Sequence, residues 1–480
     1  MSSLHNPFST KHEGHDTESR LWSNWSRTQT CEPARVHSPE STHDIAEVIR
    51  AAAAQRSQVR PLGAGHSFTP VATTSGHRVQ LDNMSGLLHV DREAMTVTLR
   101  AGTRLRDVPA LLRPLGLSLA NQGDVDPQSV AGAVSTGTHG TGLNFTGFAG
   151  MLRGFRIICA DAVEYDCYEG AEGRAGELFR LARLGLGVFG VLTELTLDCV
   201  PAFHLAADEH PEDFDDVRIN FTERVKAVDH MEFYWFPGTS TALVKENTRI
   251  PDTELNTALP ELRATHSLPS DSPTSQSSGA ARMAASTSSF FSEEVLNNGG
   301  LLGICELSRA MPRSTRALNR FAASTVSRRK YVDESHRVFV SPRRVRFSEM
   351  EYAIALDDLP EVLGEIRSVI DRHRAWVSFP LEIRAAKSDD VALSTAYQRD
   401  SAYIAVHRYW KEPYARYFFD LIEPIFKEAG GRPHWGKLHT LNSADLRERY
   451  PLFDDVAKLR SQLDPQGLFL NSHLRELFGA

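Results

Sequence analysis

Apolar side chains recur at three- and four-residue spacing through Ile45, Val48, Ile49 and Ala52, just after Ser41 and Asp44. That pattern predicts an amphipathic helix, with Ser41 and Asp44 placed to cap its first turn. The periodicity then shortens. Val59-Arg60-Pro61-Leu62 is a short, mainly apolar run, and Val79-Gln80-Leu81-Asp82 and Met95 to Arg100 alternate, so three strands are predicted. A further helix is expected over Leu105 to Leu115, with strands over Phe155 to Asp166 and Val188 to Leu197. Helices and strands mixed in this way predict a compact α+β unit.

After Pro201 the pattern changes to aromatic-rich strands at Met231-Glu232-Phe233-Tyr234-Trp235-Phe236 and at Ala242 to Lys245, which marks a domain boundary. Pro251 to Ser289 is rich in Ser, Thr, Pro and Ala, carries only weak helical hints, and is expected to be partly mobile. A second α+β run follows. It comprises a strand over Val345 to Ile354, a helix over Leu359 to His373, strands over Val377 to Arg384 and Tyr403 to Trp410, and a helix over Ala415 to Lys427. No repeat at a solenoid period is present.

The balance of 53 basic against 61 acidic residues leaves a formal charge of -8, which argues against nucleic acid or an anionic membrane as the main partner. Five scattered cysteines form no CxxC pair and fit reduced thiols in a cytoplasmic protein. Residues 1–20 are polar, show no export signal and are expected to form a flexible lead. No run approaches the roughly 18 apolar residues that a membrane span needs, so no transmembrane segment is expected. Peripheral association stays open.

Candidate chemistry starts at Pro61-Leu62-Gly63-Ala64-Gly65-His66-Ser67-Phe68, where two glycines and an imidazole follow a strand. Glycine lets backbone N–H groups approach an anionic group, and a neutral imidazole nitrogen is a nucleophile or a ligand. A flavin cradle and an ordinary strand-to-loop turn both fit this run taken alone. Asn121 to Gly142 consists almost wholly of small and polar residues, suited either to lying against a flat ligand or to a long surface loop. Gly185-Leu186-Gly187-Val188-Phe189-Gly190 has the spacing of a dinucleotide fingerprint, but a helix precedes it and a strand follows, the reverse of what that motif requires.

In the second half, alternation sends Glu382 and Arg384 to one face of their strand and Ile383 to the other. A carboxylate beside a guanidinium keeps both charged and leaves N–H donors for a hydroxyl or a developing oxyanion, unless the pair is a solvent-facing one. His407 and Tyr409 likewise share a face. Gly430 to His439 sets His434, Trp435, Lys437 and His439 on a Gly/Pro-shaped loop, where a lysine could place charge near a reduced flavin or a substrate oxygen. There is no HExxH, GxSxG, P-loop or spaced acidic calcium loop, so metal-dependent and acyl-transfer chemistry lose support.

Several of these runs, in this order, resemble the vanillyl-alcohol-oxidase type flavoproteins. Within that group they are most similar to the sugar-acid lactone oxidases (gulonolactone and arabinonolactone oxidases) and their relative alditol oxidase. The similarity rests on Trp22-Ser23-Asn24-Trp25, Gly63-Ala64-Gly65-His66-Ser67, Ser129-Val130-Ala131-Gly132, Thr136-Gly137-Thr138-His139-Gly140, Phe233-Tyr234-Trp235-Phe236-Pro237, His434-Trp435-Gly436-Lys437 and Asp464-Pro465-Gln466-Gly467-Leu468-Phe469. The resemblance implies an α+β, two-domain flavoprotein: a PCMH-type FAD-binding domain of two α/β subdomains over residues 21–200 and an α+β cap domain with an antiparallel sheet over 201–430. Residues 431–480 would return to the FAD domain.

It further implies FAD bonded covalently through His66, with Leu62, Gly63, Ala64, Gly65, Ser67 and Phe68 on the pyrophosphate-side loop. Asp124, Ser129, Gly132, Thr136, Gly137, Thr138, His139, Gly190, Val191 and His434 would line the flavin. Asp124 stands where alditol oxidase has serine, a departure from that enzyme's polyol-contacting pattern. Glu382, Arg384 and Lys437 match a substrate-binding trio, to which Asp124 and Tyr409 are added, and His407 and His434 are the histidines expected to take a hydroxyl proton. The implied reaction is oxidation of a carbinol of a gulono- or arabinono-1,4-lactone, with oxygen or another acceptor reoxidising the flavin. Thr138 falls where a related plant dehydrogenase is thought to restrict oxygen. The alternatives are an alditol oxidase acting on xylitol- or sorbitol-type polyols, a flavin- or sugar-binding protein without turnover, and a nicotinamide-fed reductase.

Overall fold

The computed structural model describes residues 21–266 and 299–480. The expected N-terminal lead and the 267–289 part of the expected insertion lie outside the described residues. The helix Thr42–Ala54 forms as its pattern requires: Ser41 accepts from the Asp44 N–H, the Asp44 carboxylate accepts from the Ser41 N–H, and Ile45, Val48, Ile49 and Ala52 are buried. The strand Val59–Leu62 pairs in parallel with His77–Gln80, which pairs with Arg35–His37, giving a small parallel sheet. Beside it stands an antiparallel sheet in the order 164–168, 152–158, 191–198, 96–100, 87–91.

Local chemistry redirects several predicted elements. Pro109 and Pro114 split the expected helix Leu105 to Leu115 into an α-turn, Val108–Leu112, between two 3₁₀ turns. Phe155 to Asp166 is not one strand but a hairpin, Leu152–Ile158 and Glu164–Tyr168, whose turn is pinned where the Asp161 carboxylate accepts the Val163 N–H at 3.0 Å. The glycine-rich segment contains a helix, Val130–Thr136, capped by Ser129 and ended by Gly137 at φ 84°. Its apolar residues are too few to announce it.

The second half builds one fully antiparallel eight-stranded sheet in the order 329–334, 203–213, 241–251, 230–235, 381–386, 401–409, 347–355, 432–433. The long strand Phe203–Asp213 and the helix Phe214–Ala227 behind it were not foreseen, because His204, Asp208 to His210 and Glu212 interrupt any apolar alternation. The helix Leu359–His373 forms over the predicted span. The expected helix Ala415 to Lys427 begins as a π-helical stretch, Arg416–Ile422, before Glu423–Glu428 continues as an α-helix. Within the low-complexity segment, Leu255–Thr265 is helical.

Two seams bring the halves together at one place. Gly142 donates to the Ala385 carbonyl at 2.8 Å, and Thr141 Oγ1 donates to the Met231 carbonyl, so the glycine-rich segment is laced onto the large sheet beside Glu382 and Arg384. The C-terminal segment crosses back to the small parallel sheet: Val59 N–H donates to the Leu468 carbonyl at 2.8 Å, and Asn471 caps the helix Ser472–Phe478 while donating to the carbonyls of Pro70 and Thr73.

Arg60 locks that return. It is 2 % exposed and donates to the carbonyls of Leu186 (2.7 Å), Gly187 (3.0 Å) and Phe469 (2.7 Å), with no carboxylate paired to it among the described residues. Burial pushes its guanidinium down to about 9. Arg60→Met removes the donor for three buried carbonyls, each costing about 1–3 kcal/mol when unmet, so a loss of at least about 3 kcal/mol in denaturant unfolding is expected. An unchanged midpoint and slope would show that water replaces the guanidinium.

Candidate active site

Two cavities meet where the seams converge. The wider, about 470 Å³, lies between the glycine-rich segment and the large sheet; the narrower, about 90 Å³, runs along the Pro61 to Ser67 turn, and the two share His66, Ser67, Gln128 and Thr136. Glycines on the narrow cavity's lining let two segments of chain pack closely. A side chain on Gly63 would sit 2.6 Å from Ser129 Oγ, and one on Gly132 would sit 3.0 Å from the same atom. Gly65 has φ 71°, and its missing Cβ would lie 2.9 Å from the Trp22 ring. Leu62, Gly63, Ala64, Gly65, Ser129, Gly132 and Gly190 line this cavity; Val191 and Gly137 line neither cavity.

His66 is held at the junction. Its ring stacks on Trp25 with centroids 5.6 Å apart, Trp25 N–H donates to the Gly65 carbonyl at 2.8 Å, and Asn24 donates to the Ser67 carbonyl at 2.9 Å. Phe68 N–H reaches the Gly436 carbonyl at 2.7 Å, tying this turn to the loop that carries Lys437. Burial, helped by Lys437 and Arg104, lowers the His66 imidazole to about 4, so it is neutral at ordinary pH.

One wall of the wide cavity is a charge lattice. Arg384 Nε donates to Glu232 at 2.8 Å, its Nη2 contacts Glu382, and the same nitrogen lies 3.5 Å from Asp124. Arg343 donates through Nε to Asp124 at 3.0 Å and lies 3.5 Å from Glu382, while Tyr234 donates towards Glu232 (2.9 Å) and Glu382 (3.1 Å). Burial would raise Asp124, but Arg343 and Arg384 outweigh it and hold that carboxylate well below its usual range. For Glu382 burial wins, despite the opposing Arg384, and its carboxyl is raised. Two carboxylates on one wall thus have opposite tendencies to carry a proton.

The same sheet face continues on the strand Phe347–Ala355, one strand beyond 401–409, whose alternation points Glu349 and Glu351 into the cavity. Lys437 Nζ pairs with Glu349 and lies 3.9 Å from Glu351. Burial alone would lower the Lys437 ammonium, but Glu349 and Glu351 more than compensate and raise it. His139 Nε2 lies 3.1 Å from Glu351, its Nδ1–H donates to the Gly140 carbonyl at 2.9 Å, and its ring stacks on Tyr403 with centroids 3.6 Å apart. His434 Nδ1 accepts the Gly436 N–H at 3.1 Å, so the neutral ring carries its proton on Nε2. Burial lowers this ring to about 4, against the opposing pull of Glu351. His407 has the reverse tautomer: Nδ1–H donates to the Pro380 carbonyl at 3.0 Å, leaving a lone pair on Nε2.

Ser67, Phe68, Asp124, Thr136, Thr138, His139, Glu382, Arg384, His407, His434 and Lys437 all reach the wide cavity. Tyr409, expected to touch substrate, is not among the residues lining this cavity, and its hydroxyl donates to Glu306 at 2.7 Å. Arg343, Glu232, Glu349 and Glu351 were not foreseen. For Glu349 and Glu351 a signal existed, two carboxylates on one face of an otherwise apolar strand. For Arg343, in an irregular Pro/Arg loop, and Glu232, lost among aromatic neighbours, there was none.

The paired cavities suit an elongated ligand, its narrow part against the glycine turn and its broad part against a wall of paired charges. Residues 33–167 match the family model described as FAD binding domain, and the cleft is that of an FAD-binding oxidoreductase. Residues 195–477 match the model described as D-arabinono-1,4-lactone oxidase, and the chain belongs to that family. It is 36% identical to an L-gulono-1,4-lactone dehydrogenase of Mycobacterium tuberculosis over 96% of this chain and 100% of that protein. It is 30% identical to the L-gulonolactone oxidase of Mus musculus, covering 95% and 97% of the two chains. The fold is shared with a cholesterol oxidase of Brevibacterium sterolicum at a TM-score of 0.73 and 17% identity, over 96% of each chain. Among the described residues no helix is long and apolar enough to cross a membrane.

Proposed function

We propose that this protein is an FAD-dependent oxidoreductase that oxidises a carbinol of a sugar-derived lactone of the L-gulono-1,4-lactone or D-arabinono-1,4-lactone type. The observation that carries the reading is the lattice of Glu382, Arg384 and Lys437 facing a cavity that is continuous with the glycine-walled one. Glu382 and Arg384 offer hydrogen bonds that orient sugar hydroxyls, and Arg384 and Lys437 stabilise negative charge as it develops. Bound FAD supplies a two-electron acceptor for the carbinol hydrogen.

The hydroxyl proton goes to His407 rather than His434. Only His407 keeps a free lone pair on Nε2, because Pro380 takes its other nitrogen as a donor, whereas Gly436 leaves His434 with Nε2–H. Lys437, raised by its two carboxylates, stays charged and is no base. The neutral, stacked His66 is the residue through which FAD is held covalently. Oxygen or another acceptor reoxidises the flavin, with Thr138, whose hydroxyl accepts from Gln128 at 3.0 Å, at the cavity wall. The five cysteines are all free, which accords with a cytoplasmic setting.

Anaerobic mixing of the holoprotein with gulono- or arabinono-1,4-lactone is expected to bleach its flavin absorbance, with xylitol and sorbitol much slower. Bleaching by polyols alone would make it an alditol oxidase. Bleaching by NADPH alone would make it a reductase, and no bleaching by any donor a binding protein.

A further inference from the structure

Glu349 is a buried carboxylate that the proposed reaction does not use, yet it stands between two groups that the reaction does use. Its Oε1 lies 3.6 Å from Nε2 of His407, and its Oε2 pairs with Nζ of Lys437. It is 6 % exposed, so water screens neither interaction. We infer that Glu349 is the positioning residue that makes His407 a base, and that it does so by dividing its charge between the His407 ring and the Lys437 ammonium. The inference rests on the lactone-oxidising reading given above.

The geometry sets out the roles. The Pro380 carbonyl holds the His407 ring by Nδ1–H and fixes which nitrogen is basic. The edges of Phe347 and Phe379 pack around the ring, with centroids 4.9 Å and 6.1 Å from it, so few orientations are open. As the substrate O–H bond breaks, its proton forms an N–H bond at Nε2. The new positive charge then lies next to Glu349, the carboxylate within ion-pair range of that nitrogen among the described residues. The separation of 3.6 Å is longer than a hydrogen bond in the resting arrangement and leaves Nε2 free to face the substrate. A small swing of either side chain closes the gap once the ring is protonated. The interaction is therefore stronger after proton transfer than before it, which is the condition for assisting the step rather than only holding the site.

Lys437 opposes this. Its ammonium draws on the same carboxylate and, through it, limits how strongly His407 is assisted. Beyond it, Glu351 shares Lys437 at 3.9 Å and is itself drawn to His139. From the strand Leu381–Ala386, on the other side of the His407 strand, Glu382 and Arg384 face the same cavity, but they are engaged with each other and with Asp124 and Glu232. Burial would raise Glu349, and Lys437, followed by His407, overcomes it and keeps the carboxylate ionised.

The two partners predict shifts of opposite sign. Glu349→Gln removes the anion that favours a protonated ring, so the acid limb of the rate–pH profile for flavin reduction should move down by about one pH unit. The plateau rate should fall on the order of tenfold, because the base is weaker. Lys437→Met leaves the full charge of Glu349 to His407 and should move the limb up. Glu349→Asp, which keeps the charge, should hold the limb near its wild-type position. The second readout needs no turnover: in histidine-labelled protein, the His407 ring nitrogens followed by NMR should titrate at lower pH in Glu349→Gln and at higher pH in Lys437→Met.

If Glu349→Gln scales the rate equally at every pH and leaves the ring titration in place, Glu349 is only structural and the inference falls. It falls equally if both variants shift the limb the same way. If the wild-type flavin is bleached by no lactone, it is the functional reading that fails, and the NMR titration alone then decides whether Glu349 governs His407.

Discussion

Arg384→Met is expected to slow flavin reduction by the lactone by about a thousandfold while FAD stays bound, the scale on which loss of one fixed charge-stabilising donor acts. Arg384 is the hub of its wall. It donates to Glu232 at 2.8 Å, contacts Glu382, and lies 3.5 Å from Asp124. Burial would weaken its charge, but Glu382, Glu232 and Asp124 hold the guanidinium well above its usual range, so it is cationic at every working pH. With methionine there, the three carboxylates keep Arg343, Lys245 and the Tyr234 hydroxyl as partners but lose the central cation, and Glu382, already raised, is driven further towards its protonated form. The site then loses both a donor to the developing oxyanion and the ionised acceptor that orients the sugar. Arg384→Lys keeps a charge without the planar fork and should recover part of the rate. Single-turnover absorbance measurements check this, together with thermal unfolding to show that the variant is folded. A loss below tenfold would remove Arg384 from any role in charge stabilisation.

The second large effect concerns the cofactor. His66→Ala should abolish covalent attachment: after acid precipitation the yellow colour should leave with the supernatant, whereas the unaltered protein should retain it in the pellet. The ring is neutral down to about 4 because it is buried and because Lys437 and Arg104 repel a second proton. A neutral imidazole keeps a lone pair for bonding to carbon, and the Trp25 stack fixes the plane in which it points. The variant should still bind FAD, since the glycine walls at Gly63 and Gly132 are untouched. Colour that stays in the pellet of His66→Ala would place the bond on another residue. Colour released from the unaltered protein would show that no such bond exists.

Much of this was legible where neighbours in the chain decide the outcome. The Ser41 cap, the strand Val59–Leu62, the helix Leu359–His373 and the shared face of Glu382 and Arg384 all follow from spacing within a few residues. The elements that were misread failed for local reasons too. Two prolines broke a helix, an Asx turn folded a strand into a hairpin, and a serine cap made a helix out of a glycine-rich run. Tyr409 shows the limit of such reasoning. Alternation puts it on the face of His407, but the cavity ends before the strand does, and Glu306, from a helix about a hundred residues earlier, takes its hydroxyl.

By itself the sequence determined the glycine turn after Val59–Leu62 and the identities of the polar groups on individual strands, because turns, caps and alternation depend on residues within a turn or two of each other. The tertiary structure alone decided their chemistry. Whether a carboxylate is raised or lowered, which histidine keeps a free lone pair, and which charges share a wall depend on burial and on partners such as Arg343 for Asp124, 219 residues apart. Glu232 for Arg384 is 152 residues away. Electrostatic interaction depends on distance through space and on the exclusion of water, and neither is ordered along the chain.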